Sequence, residues 1–144
     1  MENTIEYKTD TLYICIFVVP IYESKVCFIK YKDGDGYLEA LRYLEDLGIK
    51  TSEYKTDEYQ FAYGFTFKDK GIKGWMHFLF INGSEEYKID LINTLAHETY
   101  HLISKISEHH GLEQTEGGDN EHIAYLTGYL YNKITELSNG YSNL

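Results

Sequence analysis

Two dense runs of β-branched and aromatic residues near the N-terminus constrain the fold most strongly. The runs are LYICIFVV (12–19) and KVCFIKY (25–31), and only PIYES (20–24) separates them. Residues of this kind favour strands, and a short break between two such runs is typical of two strands that pair. The sequence therefore predicts a strand pair here.

A helix is predicted directly after this strand pair. The stretch YLEALRYLEDLG (37–48) has leucines at helical intervals and ends at Gly48, and glycine commonly follows the last turn of a helix. The preceding DGDG (33–36) is interpreted as a turn into the helix, because a calcium-binding loop would need other residues at three later positions. Those positions hold Tyr37, Leu38 and Leu44.

Two aromatic-rich runs predict further strands. The run QFAYGFTF (60–67) alternates large aromatic residues with small ones, and GWMHFLFI (74–81) follows it across the turn-rich KDKGIKG (68–74). Together with the first strand pair, they predict a small mixed or antiparallel sheet of about four strands.

Two helices are predicted to close the chain. The first runs from about Asp90 to His110 with an apolar stripe, and Gly111 ends it. The second begins at Asp119 or Asn120, both good N-caps, and ends before SNG (138–140). The fold class expected is α+β, with the sheet packed against these two helices.

Length and composition indicate one folded domain, residues 1–144. The chain has 144 residues, of which 43% are hydrophobic, enough for a core of its own. The net charge of -10 argues against nucleic acid as a ligand. We expect a cytoplasmic protein that does not contact membranes, because no stretch reads as a signal peptide or a membrane span. Cys15 and Cys27 lie in apolar runs and are expected to be buried and reduced.

The stretch NTLAHETYHLISK (93–105) contains the strongest functional motif. His97 and His101 are four residues apart, so on a helix both imidazoles can bind one zinc ion. Glu98 is rotated from His97 by about 100°, which suits a general base beside the metal rather than a ligand. The simpler interpretation is two surface histidines on an ordinary helix. Uncharged flanks favour the metal interpretation, since they predict that the apolar stripe embeds both histidines.

A catalytic zinc site needs a third protein ligand, and three residues are candidates. His109 and His110 follow near the helix end, where solvent exposure is their more usual state. Glu121 lies twenty residues after His101, at the start of the second helix. We favour Glu121 because small residues on its face of that helix, Ala124 and Gly128, would permit close packing.

The segments TLAHETYHLI (94–103) and NEHIAYLTGYLY (120–131) together resemble the signature of the gluzincin metallopeptidases, the thermolysin-like group. In that family HExxH is followed on a second helix by an Asn-Glu pair whose Glu is the third zinc ligand. The resemblance implies Zn2+ bound by His97, His101 and Glu121, with Glu98 as general base. It also implies a zincin-like fold whose edge strand pairs with an extended substrate, and GWMHFLFI is the run placed to be that strand.

The chain departs from the family at two points. Those enzymes have an acidic residue four positions after the ligand Glu, where this chain has Tyr125. They also carry a separate helical lobe with an oxyanion-stabilising histidine, so the resemblance implies a minimal, single-lobe form. Tyr125 is the preferred oxyanion donor, with His77, His109 and His110 as alternatives. The metzincin family is excluded, because its signature requires a glycine at position 104 and a third histidine at position 107, where this chain has Ser104 and Ser107.

The function predicted from these residues is zinc-dependent hydrolysis of peptide bonds, with a protein or peptide as substrate. The alternative is a small acidic protein that binds and blocks a partner's basic surface, encoded by a phage or mobile element, with zinc absent or only structural. The net charge of -10 and the lack of a catalytic lobe motivate this alternative.

Overall fold

The structure, a computed structural model, describes residues 4–111 and 121–142. The strands are β1 (Ile5–Lys8), β2 (Leu12–Val19), β3 (Ser24–Tyr31), β4 (Gly64–Gly71) and β5 (Gly74–Asn82). The helices are α1 (Gly34–Asp46), the short α2 (Asp57–Gln60), α3 (Leu91–His109) and α4 (Glu121–Ser142). Two 3-10 turns, Ser52–Lys55 and Glu85–Asp90, complete the described elements.

The strands form one mixed sheet, so the α+β class is confirmed. The strand order is β1-β2-β3-β5-β4; β3 and β5 run parallel, and the other neighbours run antiparallel. The sheet has five strands rather than about four, because β1 was not predicted. All residues of β1 are exposed, so it has none of the alternating burial that marks a strand in a sequence.

Helices cover both faces of the sheet and create two separate cores. Helix α1 lies on one face, where its residues Tyr37, Leu41 and Leu44 join an aromatic core with the sheet. Helices α3 and α4 lie on the other face, whose buried residues include Phe28, Leu102 and Leu130. Successive strand residues point to opposite faces, which is why β2, β3 and β5 each contribute to both cores.

The predicted helices are largely confirmed. Asp33 caps α1 by accepting a hydrogen bond from the Gly36 N–H at 2.8 Å, so DGDG does lead into a helix. Gly48 and Gly111 follow α1 and α3 with positive φ angles of 83° and 67°, as expected for residues that end helices. The predicted N-caps Asp119 and Asn120 lie outside the described residues.

Two predicted boundaries are wrong. The strand β4 begins at Gly64 and continues through KDKG, whereas residues 57–60 are helical. The turn between β4 and β5 is shorter than the glycines and lysines of KDKGIKG predicted, so more of these residues belong to strands. Helix α4 continues through SNG to Ser142, and its residue Ser138 is buried against the sheet.

The edge-strand prediction is also wrong. Strand β5, which contains GWMHFLFI, is internal because it pairs with β3 on one side and β4 on the other. The edge strand beside α3 is β4. The parallel crossover from β3 to β5 leaves the outer position for β4.

Cys15 and Cys27 are buried and form no disulfide, as expected. Within the described ranges 4–111 and 121–142, no helix is long and apolar enough to cross a bilayer.

Candidate metal centre

Helix α3 brings His97 and His101 together on its solvent-facing side. The two Nε2 atoms lie 3.1 Å apart. Two nitrogens bound tetrahedrally to one zinc ion at ordinary bond lengths would be about 3.3 Å apart, so the two imidazoles fit a shared ion. The donor chemistry fits as well, since neutral imidazole is a common zinc ligand.

The expectation that the apolar stripe embeds the histidines is wrong. The buried positions of α3 include Leu95, Leu102 and Ile106, whereas the His97 side chain is 65% exposed. The histidines occupy the face opposite most of this stripe, because at about 100° per residue positions 97 and 101 lie roughly 100–180° around the helix from Leu95, Leu102 and Ile106. An ion bound there would be accessible from solvent and to a substrate.

The protonation of His101 favours the form that binds metal. Partial burial is the main cause that lowers the pKa of His101, and the neighbouring His97 and Lys105 lower it further. A lower pKa increases the fraction of neutral imidazole at a given pH, and only neutral imidazole offers a lone pair to a metal ion.

Glu98 lies next to the histidine pair but points towards the sheet. Its residue exposure is 7%, and one of its carboxylate oxygens is 3.8 Å from His97 Nε2. Burial raises the pKa of Glu98, and this effect outweighs the opposing influence of His97. A carboxylate with a raised pKa beside a cleft is better suited to accept and return protons than one with its ordinary pKa.

Gly64 in β4 allows this close approach of Glu98. A Cβ atom at Gly64 would lie 2.9 Å from Glu98 Cγ and 2.8 Å from the Phe80 carbonyl oxygen. Only glycine therefore leaves room for α3 to pack against the edge strand at this point. Gly64 interrupts an aromatic run, which is a weak signal in the sequence, but the contact between strand and helix could not be predicted from it.

Two hollows open beside Glu98, on either side of the contact between α3 and β4. One, of about 290 Å³, is lined by Tyr63, Asp90 and Asn93 together with His97 and Glu98. The other, of about 340 Å³, is lined by Thr66, His101 and Lys105 together with the same His97 and Glu98. Gly64 lines both. The candidate base therefore lies at the centre of a cleft along the edge strand.

Helix α4 packs against α3 in the opposite direction. The Tyr131 hydroxyl donates to the Ala96 carbonyl oxygen at 3.0 Å. Near the other end of α3, the Tyr22 ring lies 5.4 Å from that of His110, and its hydroxyl lies 3.3 Å from His122 Nδ1. The first turn of α4 is thus near the C-terminal end of α3.

Glu121 is exposed in this first turn and is not grouped with His97 and His101. In residues 4–111 and 121–142, no three His, Cys, Asp or Glu side chains are arranged to hold a metal ion. The expected close packing through Ala124 and Gly128 is wrong, since both are exposed and a Cβ at Gly128 would meet nothing within 4 Å. Helix α4 instead buries its leucine and isoleucine stripe.

The predicted oxyanion donors lie away from the histidine pair. Tyr125 is 39% exposed and its ring is 6.5 Å from that of Tyr22. The rings of His77 and His109 are 5.8 Å apart near the far end of α3, and His110 Nε2 is 2.7 Å from Ser24 Oγ. The described structure thus brings together His97, Glu98 and His101, but none of these four donors is among the residues that line the two hollows.

Comparisons with known proteins add no family to this description: no family model, no curated protein and no solved structure matches the chain.

Proposed function

We propose that the chain is a zinc-dependent metallopeptidase of the gluzincin type with a zincin-like fold. The observation that carries this proposal is the arrangement of three side chains on α3. His97 and His101 present Nε2 atoms 3.1 Å apart, and the buried carboxylate of Glu98 lies 3.8 Å from one of them. Two imidazoles that can bind zinc, beside a carboxylate that can act as general base, are the groups needed for hydrolysis by a metal-activated water.

Bound zinc would lower the pKa of a water molecule and polarise the scissile carbonyl. The chain's own contribution to proton transfer would come from Glu98. Its carboxylate would accept a proton from the attacking water and return it to the leaving amine. Burial supports this role because it raises the pKa of Glu98 towards the working pH.

Glu121 is the proposed third ligand. Its coordination requires the first turn of α4 to come closer to the histidine pair than in the described structure. The connection between α3 and α4, residues 112–120, lies outside the described residues. Tyr125 lies one turn after Glu121, so the same approach would bring it towards the substrate as a proposed oxyanion donor.

The edge strand β4 is the proposed substrate-binding strand. It runs antiparallel to β5, borders the cleft that contains Glu98, and has one side without a neighbouring strand in the sheet. An extended peptide could pair with its free backbone groups and so pass its scissile bond across the histidine pair.

The Glu98→Gln variant tests this proposal, because glutamine keeps the size of the side chain but cannot accept the proton. We expect zinc binding to persist and peptide cleavage to fall by about 10²–10⁴-fold. Cleavage of an unstructured protein such as casein, followed by mass spectrometry, provides the measurement. Cleavage that is unchanged in Glu98→Gln would contradict the proposal.

The same variant separates the peptidase from the alternative, a small acidic binding protein. The net charge of -10 favours attraction to basic partners. Biological activity that survives in Glu98→Gln would contradict the peptidase function and support the binding function.

A further inference from the structure

A strip of positive charge runs along the cleft beyond the histidine pair, although the chain as a whole is acidic. Lys68 and Lys70 of β4 and Lys105 of α3 border the outer edge of β4 on the side that α3 covers. We call this region, between the β4 edge and the C-terminal half of α3, the basic groove. It continues the hollow of about 340 Å³ that contains Glu98, because Lys105 lines that hollow.

The lysine side chains of β4 and its free backbone groups come from the same alternate residues, so one ligand can contact both. The Asn82 N–H donates to the Tyr63 carbonyl oxygen, so the odd-numbered residues of β4 form the hydrogen bonds to β5. The even-numbered residues Thr66, Lys68 and Lys70 therefore direct their N–H and C=O groups to the open edge. A chain that paired there would place alternate side chains beside these lysines.

The lysines of the basic groove have no carboxylate at ion-pair distance within the described part of the chain. The described ion pairs of lysine are Lys55 with Glu45 and Lys88 with Glu85. Lys68 instead lies 3.2 Å from His109 Nδ1 and 5.2 Å from the centre of the Trp75 ring. Asp69 lies between Lys68 and Lys70 in β4, but strand alternation places its side chain on the opposite face, so the three lysines remain available to an external anion.

His77 lies next to the groove, with its ring 5.8 Å from that of His109. Burial is the main cause that lowers the pKa of His77 to about 4, and His109, Lys68, His110 and Lys105 lower it further. The hollow on the other side of Glu98 has the opposite character, because Asp90 lines it and, among the described residues, no lysine does. The two directions along the cleft are thus distinguished by charge.

We propose that the basic groove binds an extended, acidic polypeptide segment, which pairs with the edge of β4 and directs its carboxylates to Lys68, Lys70 and Lys105. Binding of such a segment stands on the groove alone. Its identity as the substrate rests on the proposed peptidase function, in which acidic residues would then flank the scissile bond on the side of Lys105.

The chain's one tryptophan makes this binding measurable. Trp75 is 49% exposed and lies beside Lys68 and His109 at the end of the groove, so its fluorescence reports occupancy. The probes are two peptides of eight residues, the length of β4, that alternate Thr with either Glu or Lys. The protein is the Glu98→Gln variant, which prevents cleavage during the titration.

We expect the Glu peptide to change the Trp75 fluorescence with saturation, to bind more weakly as salt is added, and to bind more tightly than the Lys peptide. The double variant Lys68→Glu, Lys105→Glu should weaken binding of the Glu peptide by about tenfold, the effect of two exposed charge contacts. The matched control is Lys8→Glu, Lys50→Glu, which changes the net charge equally at exposed sites elsewhere and should change affinity by less than about twofold. Circular dichroism checks that both double variants fold.

Equal binding of the two peptides, no binding of either, or equal effects of the two double variants would overturn the groove assignment. Tighter binding of a single-stranded oligonucleotide with the same charge as the Glu peptide would also overturn it. Charge-selective binding without cleavage by the wild-type chain would support the groove and contradict the peptidase. Cleavage together with equal binding of the Glu and Lys peptides would contradict the groove assignment and support the peptidase function.

Discussion

The two faces of the sheet are built from different chemistry. On the α1 face the core is rich in stacked aromatic rings, and its buried hydroxyls are paired: Tyr37 donates to the Tyr54 carbonyl oxygen at 2.5 Å, and Tyr31 donates to that of Gln60 at 3.0 Å. On the α3 face, three buried polar atoms have no hydrogen-bond partner in the described structure. They are His77 Nδ1, Thr99 Oγ1 and Ser107 Oγ.

This difference indicates that the two faces serve different purposes. Unpaired buried polar atoms cost free energy, and proteins keep such costs mainly where function requires particular side chains. The α3 face also contains the buried carboxylate of Glu98 and the buried amine of Lys30, whose pKa burial lowers to about 8. The α1 face therefore has paired buried hydroxyls, whereas the α3 face carries both the unpaired buried polar atoms and the candidate site.

The largest expected effect concerns the response of the α3 face to acid. The pKa of His77 is lowered to about 4, mainly by burial, from an ordinary value of 6.5, and the residue is 2% exposed. Between these pH values the unfolded chain binds the proton and the native chain does not, so stability falls as the pH falls. The expected loss of unfolding free energy from this group is about 3 kcal/mol between pH 6.5 and pH 4.

The His77→Phe variant isolates this contribution, since carboxylates also titrate in the same range. Urea unfolding at pH 6.5 and at pH 4 measures both proteins. The wild type should lose about 3 kcal/mol more than the variant. Equal losses of unfolding free energy would show that His77 is not a buried neutral imidazole. The main evidence for a difference between the two faces would then be removed.

A pair of glycines sharpens the comparison at the site itself. Gly64→Ala places a Cβ 2.9 Å from Glu98 Cγ and should cost about 1–3 kcal/mol through overpacking, with a loss of peptidase activity. Gly128→Ala is the matched control, because its Cβ meets nothing within 4 Å and it lies inside α4. It should stabilise the protein by about 0.5–1 kcal/mol. Thermal unfolding of both variants measures the difference, and stabilisation by Gly64→Ala would contradict the close contact.

The smallest expected effects have opposite signs on the two faces. Thr99→Val removes an unpaired buried hydroxyl without changing the shape of the side chain, and should stabilise the protein by about 1 kcal/mol. Tyr37→Phe removes a paired hydroxyl on the α1 face, leaves the Tyr54 carbonyl without its donor, and should destabilise by about 1 kcal/mol. Denaturant unfolding tests both. Destabilisation by Thr99→Val would show that its hydroxyl has a partner after all.

Elements with strong local patterns could be predicted from the sequence. The strands β2, β3 and β5 are continuous apolar runs, and α1 and α3 have helical stripes that end at glycines with positive φ. Boundaries were wrong where local and tertiary preferences differ. Lys68 and Gly71 suggested a turn, but pairing with β5 extends β4 through them. Ser138 suggested a helix end, but its hydroxyl and carbonyl oxygens accept hydrogen bonds from buried Lys30.

The candidate site was predictable only where it is local. The spacing of His97, Glu98 and His101 fixes their relation on one helix, and the structure places them together. The role of Gly64 depends on the strand order, which no local pattern encodes, and the internal position of β5 was missed for the same reason. Coordination by Glu121 depends on how α4 meets α3 and stays a prediction.

Zinc content tests the central proposal most directly, namely that the α3 face carries a metal centre. After reconstitution and removal of loosely bound ions, elemental analysis by mass spectrometry should find about one zinc per chain in the wild type and in Glu98→Gln. His97→Ala and His101→Ala should remove it. Glu121→Ala should weaken affinity by far more than about 100-fold, whereas His109→Ala and His110→Ala should leave it nearly unchanged. No zinc in the wild type would contradict the metal centre, and loss of zinc in His109→Ala or His110→Ala but not in Glu121→Ala would contradict the gluzincin assignment.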